Sequence, residues 1–372
     1  MQPRQSHLLL DVISRPDEIS SYSLPQWTLL LRQSRSAGLL SRLKVILADS
    51  GLHEDVPEQP RAHLDAGQCV ADSHQAAVRY EILRINVALS NLGLPLVLLK
   101  GAAYVALGLN VANGRIFSDI DILVPKDKLS EVENEMMLNG WVSTHVDDYD
   151  ERYYRDWMHE LPPMQHGIRQ TVIDIHHAIL PETARLCPDP KKLLADVVPV
   201  AGQGNVFVLA PADMVLHSAT HLFHDGELEH GLRDLVDLDG LLRHFSEDEQ
   251  FWDRLVERAV EMELSRPLYY AFRYTQRLLQ TPIPDVAMKA SEAIGKPPAA
   301  LAWLMDALFS RALMPNHPSC DDAFTPLARW MLYIRSHYLR MPFHLLIPHL
   351  VRKAYKKRFS PAAADAPKLE EN

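Results

Sequence analysis

The segment Ser118-Asp-Ile-Asp-Ile-Leu-Val124 decides the fold of this chain of 372 residues. Acidic and apolar residues alternate along its centre, which is the pattern of a β-strand with one polar face and one buried face. Asp119 and Asp121 therefore project from the same face, about 6–7 Å apart along the strand. Two like charges side by side repel each other, and burial raises the pKa of a carboxyl group. A hard divalent cation such as Mg²⁺ resolves that conflict, so the pair predicts a metal site.

A third carboxylate lies in a second alternating segment, Val172-Ile-Asp-Ile-His176. Asp174 occupies the polar face of that predicted strand, and the isoleucines beside it occupy the other face. Three carboxylates from two strands can hold a pair of Mg²⁺ (or Mn²⁺) ions for in-line displacement at phosphorus. His176 shares the face of Asp174 and is expected to line the pocket, whereas His177 points the other way and is interpreted as structural. The predicted catalytic and metal-binding residues are Asp119, Asp121 and Asp174.

A predicted strand-to-helix turn precedes these segments at Lys100-Gly101-Ala102, directly after the apolar run 94–99. A glycine at such a turn lets a phosphate approach the backbone N–H groups at the helix N-terminus. Lys100 and Arg115 are candidates to balance the charge of a triphosphate, and Arg115 is an equally good structural partner for the acids. The residues predicted to bind the nucleotide or its phosphates are Lys100, Gly101, Ala102, Arg115 and Ser118.

The periodicity of the remaining chain predicts an α+β protein, with helices on both sides of a strand-rich core. One long helix is predicted from Pro25 to Gly51 and a second from Pro60 to Leu92. Residues 147–168 are interpreted as an irregular insertion or a hairpin, with equal weight on an acceptor pocket and on plain packing. The predicted domains are a helical N-terminal region (1–92), an αβ core (93–210), an all-helical C-terminal domain (211–359) and a disordered tail (360–372).

Composition excludes several classes of protein. Hydrophobic residues make up 47% of the chain and charged residues 23%, which is typical of a globular protein rather than a disordered one. Three widely spaced cysteines argue against a disulfide framework and a zinc ribbon. We find neither a membrane-spanning segment nor a signal peptide in the sequence, so a cytoplasmic location is expected. The net charge of −10 argues against a general nucleic-acid surface.

Two further groups of residues have chemical potential. His217, His221 and His224 recur at i, i+4 and i+7, a spacing that is compatible with a metal site but is more often packing or hydrogen bonding. If their helix covers the active site, His221 or Arg233 would touch the nucleotide or the acceptor. The basic segment 352–358 is expected to be a solvated face, with weak contact to an anionic membrane surface, RNA or a polyanionic partner as alternatives.

Three stretches of the sequence together resemble the nucleotidyltransferase superfamily, which has the DNA polymerase beta-like fold. They are LVLLKGAAYVALGL (96–109), GRIFSDIDILVP (114–125) and VIDIHHAIL (172–180). The resemblance extends to residues 232–237 and 348–350. It is to an uncharacterised bacterial branch of the superfamily that is often associated with exopolysaccharide and exosortase gene clusters.

The resemblance implies a mixed αβ core that carries three carboxylates on its sheet and depends on Mg²⁺. The expected reaction moves a nucleoside monophosphate from an NTP to an acceptor hydroxyl and releases pyrophosphate, with a sugar or small molecule of exopolysaccharide metabolism as the acceptor. Asp119 and Asp121 would hold both metals, while Asp174 would hold the catalytic metal and assist deprotonation of the acceptor. The alternatives are toxin-like nucleotidylation of a protein or RNA, and a catalytically idle nucleotide-binding adaptor.

The phosphate turn departs from the superfamily pattern. The superfamily usually has Gly-Ser or Gly-Gly there, and this chain has Gly101-Ala102. The serine hydroxyl that contacts a phosphate is absent, so the resemblance leaves that contact to Lys100 or Arg115.

Overall fold

The computed structural model of the chain describes residues 7–144, 158–225 and 228–341. The predictions for residues 147–157, for the basic segment 352–358 and for the tail 360–372 lie outside these ranges. Within the described ranges, none of the helices combines the length and the hydrophobicity that a bilayer crossing requires.

Seven strands form one mixed sheet in the middle of the described chain. They are β1 (Leu96–Leu98), β2 (Asp119–Leu123), β3 (Trp141–Ser143), β4 (Met164–His166), β5 (Val172–His176), β6 (Val198–Pro199) and β7 (Val206–Val208). Their spatial order is β3-β4-β5-β2-β1-β7-β6. The pairs β2–β5 and β1–β7 are parallel, and the other pairs are antiparallel. The predicted α+β class is therefore confirmed.

The inner strand β1 is fully buried, as the apolar run 94–99 predicts. Each of its three residues is 1% exposed or less. β2 pairs with one edge of the strand and β7 with the other, with Leu96 opposite Val206 in the parallel pair. A strand that is paired on both edges and covered on both faces needs apolar side chains throughout rather than in alternation.

Four helices precede the sheet: α1 (Leu8–Ser14), α2 (Leu24–Ser36), α3 (Leu40–Asp49) and α4 (Glu58–Asn91). The single helix predicted from Pro25 to Gly51 is wrong, because α2 and α3 share that stretch. Gly38 lies between them with a left-handed backbone (φ +67°), which interrupts the right-handed helix. The apolar spacing continues on both sides of this turn, so the periodicity alone did not show the break. The helix predicted from Pro60 to Leu92 agrees with α4.

Three further helices lie among the strands: α5 (Lys100–Leu107), α6 (Leu129–Leu138) and α7 (Pro190–Ala195). Seven follow β7 in the described chain: α8 (Pro211–Thr220), α9 (Gly231–Phe245), α10 (Phe251–Glu261), α11 (Ser265–Leu279), α12 (Asp285–Gly295), α13 (Ala299–Ala312) and α14 (Thr325–Arg340). A π-helix, His221–Asp225, continues α8. One hydrophobic core runs through all of these regions. The domain limits at 92 and 210 fall between elements without a break in that core, and they stay predictions.

Candidate functional site

The acidic residues of the two alternating segments meet on adjacent strands of the sheet. β2 and β5 run parallel, with Asp121 directly opposite Asp174. Asp119 lies on the same face as Asp121, because residues two positions apart in a strand point the same way. Asp121 is 5% exposed, and the other two acids are half-buried. The structure thus brings together the three residues that were predicted to be catalytic and metal-binding.

Two basic side chains hold Asp121. Lys100 Nζ donates to its Oδ1 atom at 2.9 Å, and His176 Nε2 lies 2.9 Å from the same atom. Burial favours the neutral carboxyl group, but Lys100 and His176 outweigh burial and hold the pKa of Asp121 well below its ordinary value. Burial also opposes the charge of Lys100, and Asp121 nevertheless raises the pKa of that ammonium group. Asp121 is therefore ionised, and its charge is balanced within the site.

Asp174 has the opposite environment. Burial, followed by the charges of Asp121, Glu160 and Asp119, raises its pKa to about 8. Its Oδ1 atom is buried without a hydrogen-bond partner among the described residues. A buried carboxylate oxygen that lacks a donor and faces other carboxylates is an environment that a divalent cation stabilises. The carboxylate oxygens of Asp119, Asp121 and Asp174 are donors of the kind that Mg²⁺ and Mn²⁺ prefer.

Two residues that sequence reasoning missed complete this cluster. Glu160 forms an isolated antiparallel bridge with His176 of β5, and its Oε2 atom lies 3.2 Å from His176 Nδ1. His159 lies beside them, with its ring centroid 5.3 Å from that of His176. The three side chains offer ligand atoms within 4.8 Å of one another, which is a second donor set for a metal ion. The only signal in the sequence was the density of charged and aromatic residues in segment 147–168.

The turn at the start of α5 has an unusual backbone. Lys100 has φ +42°, in the left-handed region that residues other than glycine rarely adopt. A Cβ atom at Gly101 would collide with Arg115 Nη1 and would lie 2.9 Å from the ring of Phe117. The packing of these two side chains thus requires glycine at 101. This requirement is separate from the predicted approach of a phosphate to the turn. Ala102 is 2% exposed and points into the core.

Arg115 has its ion-pair partner in the C-terminal helices. Its Nε atom donates to Asp237 Oδ2 of α9 at 2.8 Å, and both side chains are largely buried. Burial opposes the charge of Arg115, yet Asp237 raises the pKa of the guanidinium group. The sequence suggested that Arg115 pairs with the sheet carboxylates. Its partner in the structure is instead Asp237. Ser118, at the exposed start of β2, donates from Oγ to Asp119 Oδ1 at 3.0 Å.

The three histidines of the predicted i, i+4, i+7 group divide between two places. His217 of α8 is buried, and burial, with the charges of Lys100 and His176, lowers its pKa well below the ordinary value. After α8 the chain continues as the π-helix His221–Asp225, which changes the angular spacing of the residues. His224 therefore lines an apolar cavity among the C-terminal helices. The expectation of one shared helical face is wrong.

Arg233 and His221 lie around Asp234 at the start of α9. Arg233 Nε donates to Asp234 Oδ1 at 3.0 Å. Burial favours the neutral form of Asp234, but the charges of Arg233 and His221 lower its pKa. These residues form a charged group next to the Arg115–Asp237 pair, and their contact with a nucleotide or an acceptor stays a prediction.

Comparison with known protein families adds one finding. The model of a family described as uncharacterised nucleotidyltransferase matches residues 23–280, which are 258 of the 372 residues of the chain. The matched range contains both alternating segments, the turn before α5, and helices α8 and α9. Searches of curated proteins and of solved structures found no match.

Proposed function

The chain belongs to the family of uncharacterised nucleotidyltransferases, and on that premise we propose that it transfers a nucleoside monophosphate from an NTP to an acceptor hydroxyl, releasing pyrophosphate. One observation carries this proposal: Asp121 and Asp174 are direct neighbours on parallel strands, with Asp119 beside them. Folding alone gives no reason to gather these acids, because each raises the cost of ionising the others. Phosphoryl chemistry on metal ions gives such a reason.

Asp119, Asp121 and Asp174 would hold Mg²⁺ or Mn²⁺, with two ions expected. When bound, the ions would neutralise the acids and stabilise the charge that develops on the transferred phosphoryl group. Asp174 has a second role in the proposal, in which it assists deprotonation of the acceptor hydroxyl, as the family resemblance implies. Its buried Oδ1 atom, which has no hydrogen-bond partner among the described residues, is proposed as a metal ligand.

Lys100 is the stronger of the two cations proposed for the triphosphate. It lies at the N-terminus of α5, where backbone N–H groups and the helix dipole favour an anion. Lys100 is paired with Asp121, but that acid keeps His176 as a second partner. Moving Arg115 from Asp237, its partner at 2.8 Å, to a phosphate would instead leave a buried acid without its ion pair. Ala102 supplies no hydroxyl group, which leaves the side-chain contact with phosphate to Lys100.

The acceptor is proposed to be a sugar or another small molecule, with exopolysaccharide metabolism as its context. That part of the proposal is supported by the family resemblance alone. Nucleotidylation of a protein or RNA uses the same chemistry at the sheet. Mass spectrometry of the acceptor after the reaction distinguishes the two.

The proposal is tested by binding and turnover with the full chain. Each NTP is added with Mg²⁺, with Mn²⁺ or with EDTA, and both Tm and pyrophosphate release are measured. We expect one NTP to raise Tm in a metal-dependent manner, because a ligand that binds only the folded state stabilises it by mass action. Asp121→Asn should abolish the shift. Asp127→Asn is the matched control, because Asp127 is an exposed acid in the turn after β2.

The opposite result is equally clear. If no NTP at millimolar concentration shifts Tm with either metal, the transferase proposal fails and a catalytically idle adaptor that does not bind nucleotides is favoured. If Asp121→Asn keeps the shift as fully as Asp127→Asn does, the sheet acids are not the donor site.

A further inference from the structure

An apolar cavity of about 650 Å³ lies among the C-terminal helices, and none of the sheet acids lines it. Helices α11, α13 and α14 form most of its wall, and the π-helix His221–Asp225 and residues 185–186 complete it. Its volume falls within the roughly 300–1,000 Å³ that is usual for small-molecule sites. The cavity is therefore large enough to be a binding site of its own.

The cavity reaches from the surface into the core. At its mouth Leu301 is 40% exposed, and Arg185 is exposed as well. At its floor Phe223, Tyr270 and Met305 are each 4% exposed or less. This gradient suits a long, thin ligand whose apolar part enters the core, because the buried wall offers that part contact with aromatic and aliphatic side chains.

Three guanidinium groups line the cavity, and none of its described lining residues is acidic. Arg335 Nη1 donates to the carbonyl oxygen of Phe223 at 2.7 Å, and its Cζ atom lies 5.7 Å from the centroid of the Tyr270 ring. Arg266 Nε is buried without a hydrogen-bond partner among the described residues. Arg185, at the mouth, donates from Nε to the carbonyl oxygen of Tyr338.

Arg335 lies close to a second guanidinium group, that of Arg266. Burial lowers the pKa of Arg335, and the nearby charge of Arg266 acts in the same direction. Elsewhere in the described chain, Arg115 and Arg258 have carboxylate partners, whereas the buried Arg42 donates to the backbone carbonyl oxygens of Asn110 and Val111. None of the described lining residues supplies these two guanidinium groups with a carboxylate partner, and an anion bound in the cavity would supply one.

We propose that this cavity binds an amphiphilic anion, a molecule with one long apolar chain that ends in a phosphate or a carboxylate group. The chain would lie along Phe223, Tyr270 and Met305, and the anionic group would be bound by Arg266 and Arg335. Guanidinium groups match both head groups because their planar N–H donors bind two oxygens at once. This inference concerns a second site, and it holds whether or not the sheet site transfers nucleotides.

The first test is calorimetric titration of the full chain with four probes below their micelle-forming concentrations. Dodecyl phosphate and dodecanoate share the proposed chemistry, and comparing them shows which head group is preferred. Dodecyltrimethylammonium carries the same chain with the opposite charge, and methyl phosphate carries the head group without the chain. We expect binding of at least one of the first two and at least tenfold weaker binding of the last two. Equal affinity for the cationic probe overturns the proposal.

Variants locate the binding. Arg266→Gln should weaken binding of the preferred anion at least tenfold, while Arg277→Gln on the same helix should leave it unchanged, since Arg277 is exposed and lies outside the lining. Leu304 is a half-buried residue of α13 in the cavity wall. Leu304→Trp should fill part of the cavity and block entry of the ligand's apolar chain. If Leu304→Trp fails to fold, the comparison of Arg266→Gln with Arg277→Gln still tests where the anion binds. Unchanged affinity in Arg266→Gln refutes the assignment.

A crosslinking experiment distinguishes the amphiphile from the chain's own C-terminal segment as the occupant. The described chain ends at Met341, close to the lining residues Tyr338 and Leu339. In the full chain, Leu301 at the mouth of the cavity is replaced by the photoreactive residue p-benzoylphenylalanine, and the protein is irradiated with dodecyl phosphate. An adduct with the mass of the probe supports the proposal. A crosslink to a peptide from residues 342–372 that persists at saturating probe shows that the segment fills the cavity, and overturns it.

Discussion

The sheet site and the cavity of the C-terminal helices both concentrate charge, and their surpluses have opposite signs. At the sheet, four acidic residues share two basic partners; they are Asp119, Asp121, Glu160 and Asp174, with Lys100 and His176. In the cavity, three arginines line the wall and no described lining residue is acidic. Each surplus favours a ligand of the opposite sign, which is a metal cation in our proposal for the sheet and an anion in our proposal for the cavity. The two proposals therefore differ in the charge of the ligand before the shapes of the sites are considered.

The largest loss of stability is expected at Asp121, the sheet acid whose charge is balanced by two basic partners. Asp121→Asn removes the acid that both Lys100 and His176 contact, and leaves a buried ammonium group without its carboxylate. Breaking a buried pair from one side costs about 3–5 kcal/mol in the free energy of unfolding. Urea denaturation of the metal-free protein measures this, with Asp127→Asn as the exposed control. A loss equal to that of the control would show that the Lys100 charge is not confined to the site.

A slightly smaller loss is expected at the pair that joins the sheet core to α9. Asp237→Asn leaves Arg115 buried without its 2.8 Å partner, although Asp234 nearby retains part of the compensating charge. We expect about 3 kcal/mol of destabilisation by urea denaturation. The double variant Arg115→Met/Asp237→Leu should recover much of this loss, because removal of both charges leaves neither one unpaired. Equal losses in the single and the double variant would contradict a pairwise origin.

At Asp174 the expected change in the free energy of unfolding has the opposite sign, because the substitution stabilises the protein. Its pKa is about 8 in the folded protein against 3.8 ordinarily, so the folded state retains a proton that the unfolded state has lost. The contribution of this group to stability is therefore fully present below about pH 4 and is lost as the pH rises to about 8. In EDTA at pH 8, Asp174→Asn should be more stable than the parent by on the order of 2 kcal/mol. The gain should shrink towards pH 5, and thermal unfolding across that pH range measures it.

The smallest effect is expected in the cavity. Arg266→Met removes a buried Nε atom that has no hydrogen-bond partner among the described residues, and keeps most of the apolar length of the side chain. We expect a gain of about 1 kcal/mol in the ligand-free protein, because an unsatisfied buried polar group is removed. Urea denaturation against Arg277→Met supplies the control on the same helix. A decrease of more than about 1 kcal/mol in the free energy of unfolding would mean that the protein itself already stabilises the Arg266 charge. The cavity would then show no unbalanced charge to compare with that of the sheet site.

Local patterns in the sequence predicted the two strands of the sheet site. They predicted neither how these strands pair nor which other side chains lie beside them. Strict alternation predicted β2 and β5, because side chains alternate faces in any strand. The register that sets Asp121 opposite Asp174 depends on pairing between distant segments, which periodicity does not encode. Glu160 was missed for a related reason: its place is fixed by one backbone bridge to His176 in a stretch without regular spacing.

Helical periodicity failed where the backbone departs from the α-helix. The left-handed Gly38 divides a predicted helix into α2 and α3, although the apolar spacing on both sides is regular. At His221–Asp225 the π-helix separates His224 from His217, which an α-helical projection places on one face. Arg115 shows a third limit, because its partner Asp237 lies 122 residues further along the chain. Sequence reasoning did single out the histidines and Arg115 as candidate functional residues. Their roles in binding and catalysis stay predictions.

The parallel pairing of β1 with β7 has a consequence for synthesis on the ribosome. Leu96 lies opposite Val206, so about 110 residues must be added after β1 before its partner strand exists. At roughly 5–20 residues per second, this takes roughly 5–20 s. During that time one edge of a wholly apolar strand offers unpaired N–H and C=O groups, to which a strand of another nascent chain can add. We therefore expect the yield of native protein to depend on chaperone protection of the nascent chain during this interval.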